Sequence, residues 1–146
     1  MQRVLEFRQT QFQLAESEFQ HAAAKVRSLQ AQQAALIARK WETRRTIASL
    51  PQVKGGHLAP LPGWYQWTVR AADQLSALER EATADLQKRR QAMVEAHRQV
   101  RLLEKLRDKR RGEWQAAFDR ELEELAADST NSRFSRAWFP ESRLHD

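Results

Sequence analysis

Apolar residues recur through the first third of the chain at alternating steps of three and four. One set runs Leu5, Phe12, Phe19, Val26, Gln33, Lys40 and Ile47, and its companion runs Arg8, Ala15, Ala22, Leu29, Leu36, Thr43 and Leu50. Side chains at that spacing line one side of an α-helix and pack as a coiled-coil seam. The stripe is continuous from Phe12 to Leu29 and polar toward both ends. It predicts a first helix over residues 3–49, roughly 70 Å long at about 1.5 Å per residue. Pro51 disfavours helical geometry at Leu50, so the helix should stop there.

The next stretch, Leu50 to Trp64, holds Gly55, Gly56 and Gly63 of the chain's four glycines and Pro51, Pro60 and Pro62 of its four prolines. Glycine makes left-handed backbone inexpensive and proline removes an amide donor, so no long helix runs through this cluster. It predicts a turn over residues 50–63, with Gly63 as a cap for the next helix. Lys54-Gly55-Gly56 lacks the rest of a phosphate-binding loop and no strand precedes it, so it reads as a hinge.

A second stripe begins past the turn: Ala72, Leu75, Ala82, Leu86, Met93, Ala96, Val100 and Leu103, interrupted by Glu79 and Arg89. It continues through Leu106, Arg110, Trp114, Phe118, Leu122 and Leu125, which predicts a longer second helix over residues 64–127. Folding the two arms about the turn pairs residues whose numbers sum to about 115. Phe12 then meets Leu103, Ala15 meets Val100, Phe19 meets Ala96, Ala22 meets Met93, and Leu29 meets Leu86, with large residues opposite small ones in most layers. The same register faces Arg8 with Arg107. The expected fold is all-α: two long helices in an antiparallel coiled-coil hairpin over residues 1–128. Ser129-Thr130-Asn131-Ser132 should end the second helix, leaving 129–146 as a flexible, disordered tail.

Composition narrows the function. With 146 residues, 30% of them charged, no cysteine and a mean hydropathy of −0.78, the chain suits long helices that each bury one seam. Thiolate metal sites, thiol nucleophiles and disulfides are excluded. No apolar run approaches the roughly 18 residues of a membrane span and the first residues lack a signal peptide's apolar segment, so the expected location is cytoplasmic. His21, His57, His97 and His145 are scattered without a metal-ligand pattern, carboxylates alternate with bases, and no serine sits in a nucleophile motif. The chain therefore reads as a non-enzymatic binding or mechanical protein with no cofactor and no metal.

A net charge of +6 invites a nucleic-acid reading. Residues 1–50 hold eight Lys/Arg against four Asp/Glu and residues 96–127 eight against seven, so most of the excess is spread along the first arm. Mixed signs at helical spacing are the mark of a solvated face, and nucleic acid is not the expected partner. Two apolar features stand out instead. Trp64, Tyr65 and Trp67 cluster at the tip, and Trp41 lies off the first seam beside Arg39, Arg44 and Arg45; such aromatics either cover local core or anchor an interface. Trp114, Phe118, Leu122 and Leu125 extend beyond the start of the first arm, and an apolar stripe without an internal partner is ordinarily covered by another protein. Gly112, just before that stripe, would suit a close backbone approach.

The phrase Arg101-Leu102-Leu103-Glu104-Lys105-Leu106-Arg107-Asp108-Lys109-Arg110-Arg111-Gly112-Glu113-Trp114, followed by the acidic Arg120-Glu121-Leu122-Glu123-Glu124-Leu125-Ala126, resembles the FliJ family of flagellar export proteins. The plan of two long helices about a short turn, with aromatics opening the second, is similar too. This turn is richer in proline than the family usually shows. The resemblance implies a hairpin similar to the stalk of rotary ATPases, engaging the hexameric flagellar type III export ATPase and the transmembrane export gate. It also implies escort of export substrates or chaperones, and a place peripheral to the inner membrane. The family's gate contact lies early in its second helix, which points here to Trp64, Trp67, Leu75 and Leu78, with Trp41 on the neighbouring arm. The ring-binding set expected at the open end is Arg8, Arg107, Arg110, Trp114, Phe118 and Leu122. Virulence-type secretion stalks share this plan and remain an alternative, as do a basic nucleic-acid-binding hairpin and a self-associating structural coiled coil.

Overall fold

A computed structural model describes residues 1–52 and 54–138, and nearly all of them are helical. Helix α1 spans Gln2–Ala48, α2 is a single turn at Gly55–Leu58, and α3 spans Leu61–Trp138. The chain divides into two units, one of residues Gln2–Val100 and a second that takes in Arg101 onward. In the first unit, α1 and the opening half of α3 form an antiparallel helical hairpin.

Every position of the two sets read from the first arm, from Leu5 to Leu50, is buried or half-buried, while most of the residues between them are exposed. Leu5, Ala22, Val26, Leu29 and Leu36 are the buried residues of α1, and Thr68, Ala82 and Val100 those of α3. At the centre, Val26, Leu29 and Ala82 form the core cluster, and Leu75 and Leu86 pack against it. A two-helix seam has no second layer, so the core is a thin strip of apolar contacts.

The two interruptions of the second stripe become polar ties between the helices. Arg89 donates to Glu18 at 2.8 Å, with Asp85 also near its guanidinium at 3.6 Å. Gln30 donates to Glu79 at 3.4 Å. Both ties are solvent-exposed, so each contributes at most about 1 kcal/mol and serves chiefly to fix alignment.

Those ties correct the expected register. Glu18 with Arg89, Gln30 with Glu79, and Phe12 with His97 (ring centroids 5.1 Å apart) are pairs whose numbers sum to between 107 and 109. The sequence predicted about 115, one heptad away. The cause lies in the turn: α1 ends at Ala48 and α3 already begins at Leu61, so the midpoint of the hairpin lies near residue 54. Phe19 therefore does not lie level with Ala96, nor Phe12 with Leu103. Arg8 falls level with Val100, and the facing of Arg8 and Arg107 lapses with the old register.

The turn differs from expectation in a second way. Gly63 is the third residue of α3 and not its cap. Pro62 occupies the first turn of α3, where a missing amide donor leaves no bond unmade, and the Trp64 amide bonds the Pro60 carbonyl at 3.1 Å. In α2 the Ala59 amide bonds the Gly55 carbonyl at 3.1 Å, and the Lys54 amide donates to His57 Nδ1 at 3.4 Å. No glycine has a positive φ among the described residues, so the reversal is built from a helical turn and prolines without left-handed glycine.

At the other end, α3 runs ten residues past the expected stop at Asp128. The residues read as a terminator cap the helix's own carbonyls instead: Ser129 and Thr130 donate to Ala126, and Ser132 to Asp128. Hydroxyl side chains bonding back to a carbonyl three or four residues earlier are compatible with a continuing helix. The rest of the expected tail, from residue 139, lies outside the described residues.

Candidate functional site

Two open grooves lie near the tip of the Gln2–Val100 hairpin. In the first, of about 380 Å³, Leu36 of α1 faces Trp67, Ala71, Leu75 and Leu78 of α3, with Arg39 at its edge. Heptad spacing explains the gathering: Trp67, Ala71, Leu75 and Leu78 follow one another at steps of four, four and three along one side of α3. Trp67 and Leu78 are exposed, at 52% and 47%, whereas Leu75 is half-buried against the core cluster. Three of the five tip residues singled out from the sequence thus share one groove, with Leu75 as its floor.

The second groove, of about 610 Å³, is lined by Thr46, Ile47 and Leu50 on one side and by His57, Pro60, Leu61 and Trp64 on the other. It exists because α1 stops at Ala48 and the chain returns through a proline-rich turn that leaves Ile47 and Leu50 only half covered. Trp64 is half-buried here and belongs to the turn's own packing. Trp41 lines neither groove. It is 57% exposed, and the Arg44 guanidinium lies over its ring at 5.5 Å. Such a cation–π pair keeps the indole on the outer face.

The second unit is described on its own. From Lys105 to Trp138 every residue is exposed. Trp114 and Phe118 stack with ring centroids 5.5 Å apart and planes within 10°. They are 67% and 46% exposed, and Leu122 and Leu125 are 49% and 64% exposed. The apolar stripe predicted beyond Leu103 is therefore bare. Around it, Arg107 pairs with Asp108 at 3.1 Å and Lys109 with Glu113 at 3.8 Å, the alternation of signs foreseen for a solvated face. Arg8, the ring-binding candidate on α1, is half-buried; it donates to Gln11 at 3.2 Å and lies 6.0 Å from the Phe7 ring. A Cβ added at Gly112 meets no atom within 4 Å, so nothing in the chain itself requires a glycine there.

Phe134 and Trp138, which the sequence placed in a tail, are helical and 67% and 78% exposed. Thr68, which the sequence left unremarked, is fully buried and donates to the Tyr65 carbonyl at 2.7 Å. Its signal was present: Thr68 precedes Leu75 by one heptad and Ala82 by two, so extending the second stripe backward would have found it.

Among the described residues there is no group of His, Asp or Glu side chains that could hold a metal ion, and no helix is long and apolar enough to cross a membrane. Compared with models of protein families, with curated proteins and with solved structures, the chain matches none.

Proposed function

We propose that this chain is a non-enzymatic stalk protein of a flagellar type III protein export apparatus. In this reading the segment from Trp114 to Leu125 engages the central pore of a hexameric export ATPase. The groove of Trp67, Leu75 and Leu78 engages a transmembrane export gate. The observation that carries the reading is the bare stripe of Trp114, Phe118, Leu122 and Leu125, four large apolar side chains on a helix with no cover of its own. An exposed apolar stripe of this length marks a surface that another protein covers. The hairpin of Gln2–Val100 and the FliJ-like phrase around Arg101–Trp114 agree with it. Basic residues at the near end of the stripe, Arg107 and Arg110, would suit an acidic patch on that part of the lining alone.

ATP hydrolysis by a purified flagellar export ATPase, measured with and without the chain, tests the reading. Stimulation is expected with the native chain and is expected to fall at least tenfold with Trp114→Ala plus Arg110→Glu. Unchanged stimulation by that variant, with the hairpin still folded by circular dichroism, overturns it. A second reading rests on Trp41 and Arg44, an exposed aromatic–cation pair amid Arg39, Lys40 and Arg45, which is a combination that nucleic acids also bind. Salt separates the two: phosphate binding weakens steeply between about 50 and 200 mM salt, whereas an apolar ring contact changes little.

A further inference from the structure

The bare segment of α3 carries a charge gradient that the stalk reading does not use. Residues 104–113 hold five Lys/Arg against three Asp/Glu, and residues 119–128 hold one against five. Between the two blocks stand the stacked Trp114 and Phe118. At about 100° per residue, Arg107, Arg110, Trp114, Phe118, Glu121 and Leu125 fall within one sector of the helix about 80° wide. One face therefore reads, in order, basic, aromatic, then acidic and apolar.

We propose that this face pairs with the same face of a second copy of the chain, in antiparallel orientation. A crossing point between Trp114 and Phe118 sets Trp114 of each copy on Phe118 of the other. It brings Arg110 of each copy opposite Glu121 of the other. The gradient selects both occupant and direction. A uniformly acidic partner, protein or nucleic acid, is repelled by residues 119–128, and a parallel second copy sets Arg110 against Arg110 and Glu121 against Glu121. A helix of reversed polarity satisfies both halves, and an antiparallel copy of this segment is such a helix. The charges are free to take part: among the described residues neither Arg110, Arg111, Glu121, Glu123 nor Glu124 enters an ion pair. Trp114 and Phe118 of both copies, with Leu125 of each lying along the Arg107 stem of the other, bury on the order of 1,000 Å², the low end of specific interfaces, which corresponds to a reversible dimer. The pairing stands independently of the stalk reading. It occupies the same stripe, so a dimer of this kind would keep the apolar surface covered while no other partner holds it.

Sedimentation equilibrium of the full chain from about 1 to 200 μM tests the proposal, with Arg110→Glu, Glu121→Arg, the double variant and Trp114→Glu beside the native protein. A monomer–dimer equilibrium is expected. Each single charge reversal replaces two attractions by two repulsions and should raise the dimer Kd about tenfold. The double variant restores both attractions with their signs exchanged and should return to within about threefold of the native Kd. Trp114→Glu should raise Kd at least a hundredfold, since it removes two aromatic contacts and places two charges in the apolar centre. Native protein that stays monomeric at 200 μM overturns the proposal, as does a dimer indifferent to both single reversals. A double variant no better than the singles overturns the antiparallel pairing. All these side chains are exposed, so thermal unfolding by circular dichroism should be alike in the five proteins, and a variant that unfolds leaves the remaining charge reversals to decide.

Discussion

Thr68 and Trp67 are sequence neighbours with opposite fates. Thr68 is wholly buried in the seam, its hydroxyl satisfied by the Tyr65 carbonyl at 2.7 Å, while Trp67 keeps 52% of its surface in water. Helical geometry turns consecutive residues about 100° apart, so a seam this thin can take one of them and must leave the other. Removing the buried residue should therefore cost more than removing the large one. Thr68→Ala is expected to lower stability by about 1–2 kcal/mol, through lost packing and a lost hydrogen bond. Thr68→Val keeps the shape and should stay within about 1 kcal/mol, and Trp67→Ala should cost less than about 1 kcal/mol. Urea unfolding of the three variants gives the order. A Trp67→Ala loss equal to that of Thr68→Ala would make the tip aromatics local core and remove the groove as a docking surface.

At the scale of the helices, Leu5, Ala22, Val26 and Leu29 were legible because burial follows the period of the sequence, and every predicted seam position of α1 is covered. The register was not legible in the same way. Sliding one helix by seven residues maps each seam position onto another, so the apolar pattern is nearly blind to that shift. What decides it is how many residues the turn consumes, and there the prolines misled. Pro62 reads as a breaker in the sequence, yet it sits in the first turn of α3 and lets the helix begin at Leu61. Glu79 and Arg89, the interruptions of the second stripe, hold the better clue, since each needs a polar partner across the seam and finds it in Gln30 and Glu18. Because the chain has no cysteine, paired substitutions report the register without background. Cysteines at Val26 and Ala82 should crosslink within one chain, and cysteines at Phe19 and Ala96 should not; the reverse outcome restores the longer turn. Gly112 offers a second check on α3. Its Cβ position is open, so Gly112→Ala should stabilise the helix by about 1 kcal/mol, read as increased amide protection around residues 108–116. A loss of protection there would mean that the glycine meets a close neighbour after all.

At the scale of the whole molecule, the buried core belongs to one of the two units alone. Each buried residue among those described lies between Leu5 and Val100, whereas from Lys105 to Trp138 every residue is exposed. The hairpin should accordingly fold without the segment that follows it. A chain ending at Leu103 is expected to unfold cooperatively with a Tm within about 4 °C of the full chain, since it discards no residue of the described core and should change stability by less than about 1 kcal/mol. The complementary piece, residues 101–138 alone, should be only partly helical in dilute solution, because a single helix with one uncovered face has little beyond its own backbone bonds and ion pairs to hold it. Function should divide the other way. The truncated chain keeps the groove of Leu36, Trp67 and Leu78 but lacks Arg107, Arg110 and Trp114, so under the proposed stalk function it should bind a gate and fail to stimulate a ring ATPase. Both quantities are measured on one preparation. A collapse of the Tm would show that the stripe serves the hairpin's own core, and full ATPase stimulation by the truncated chain would show that the stripe serves something else.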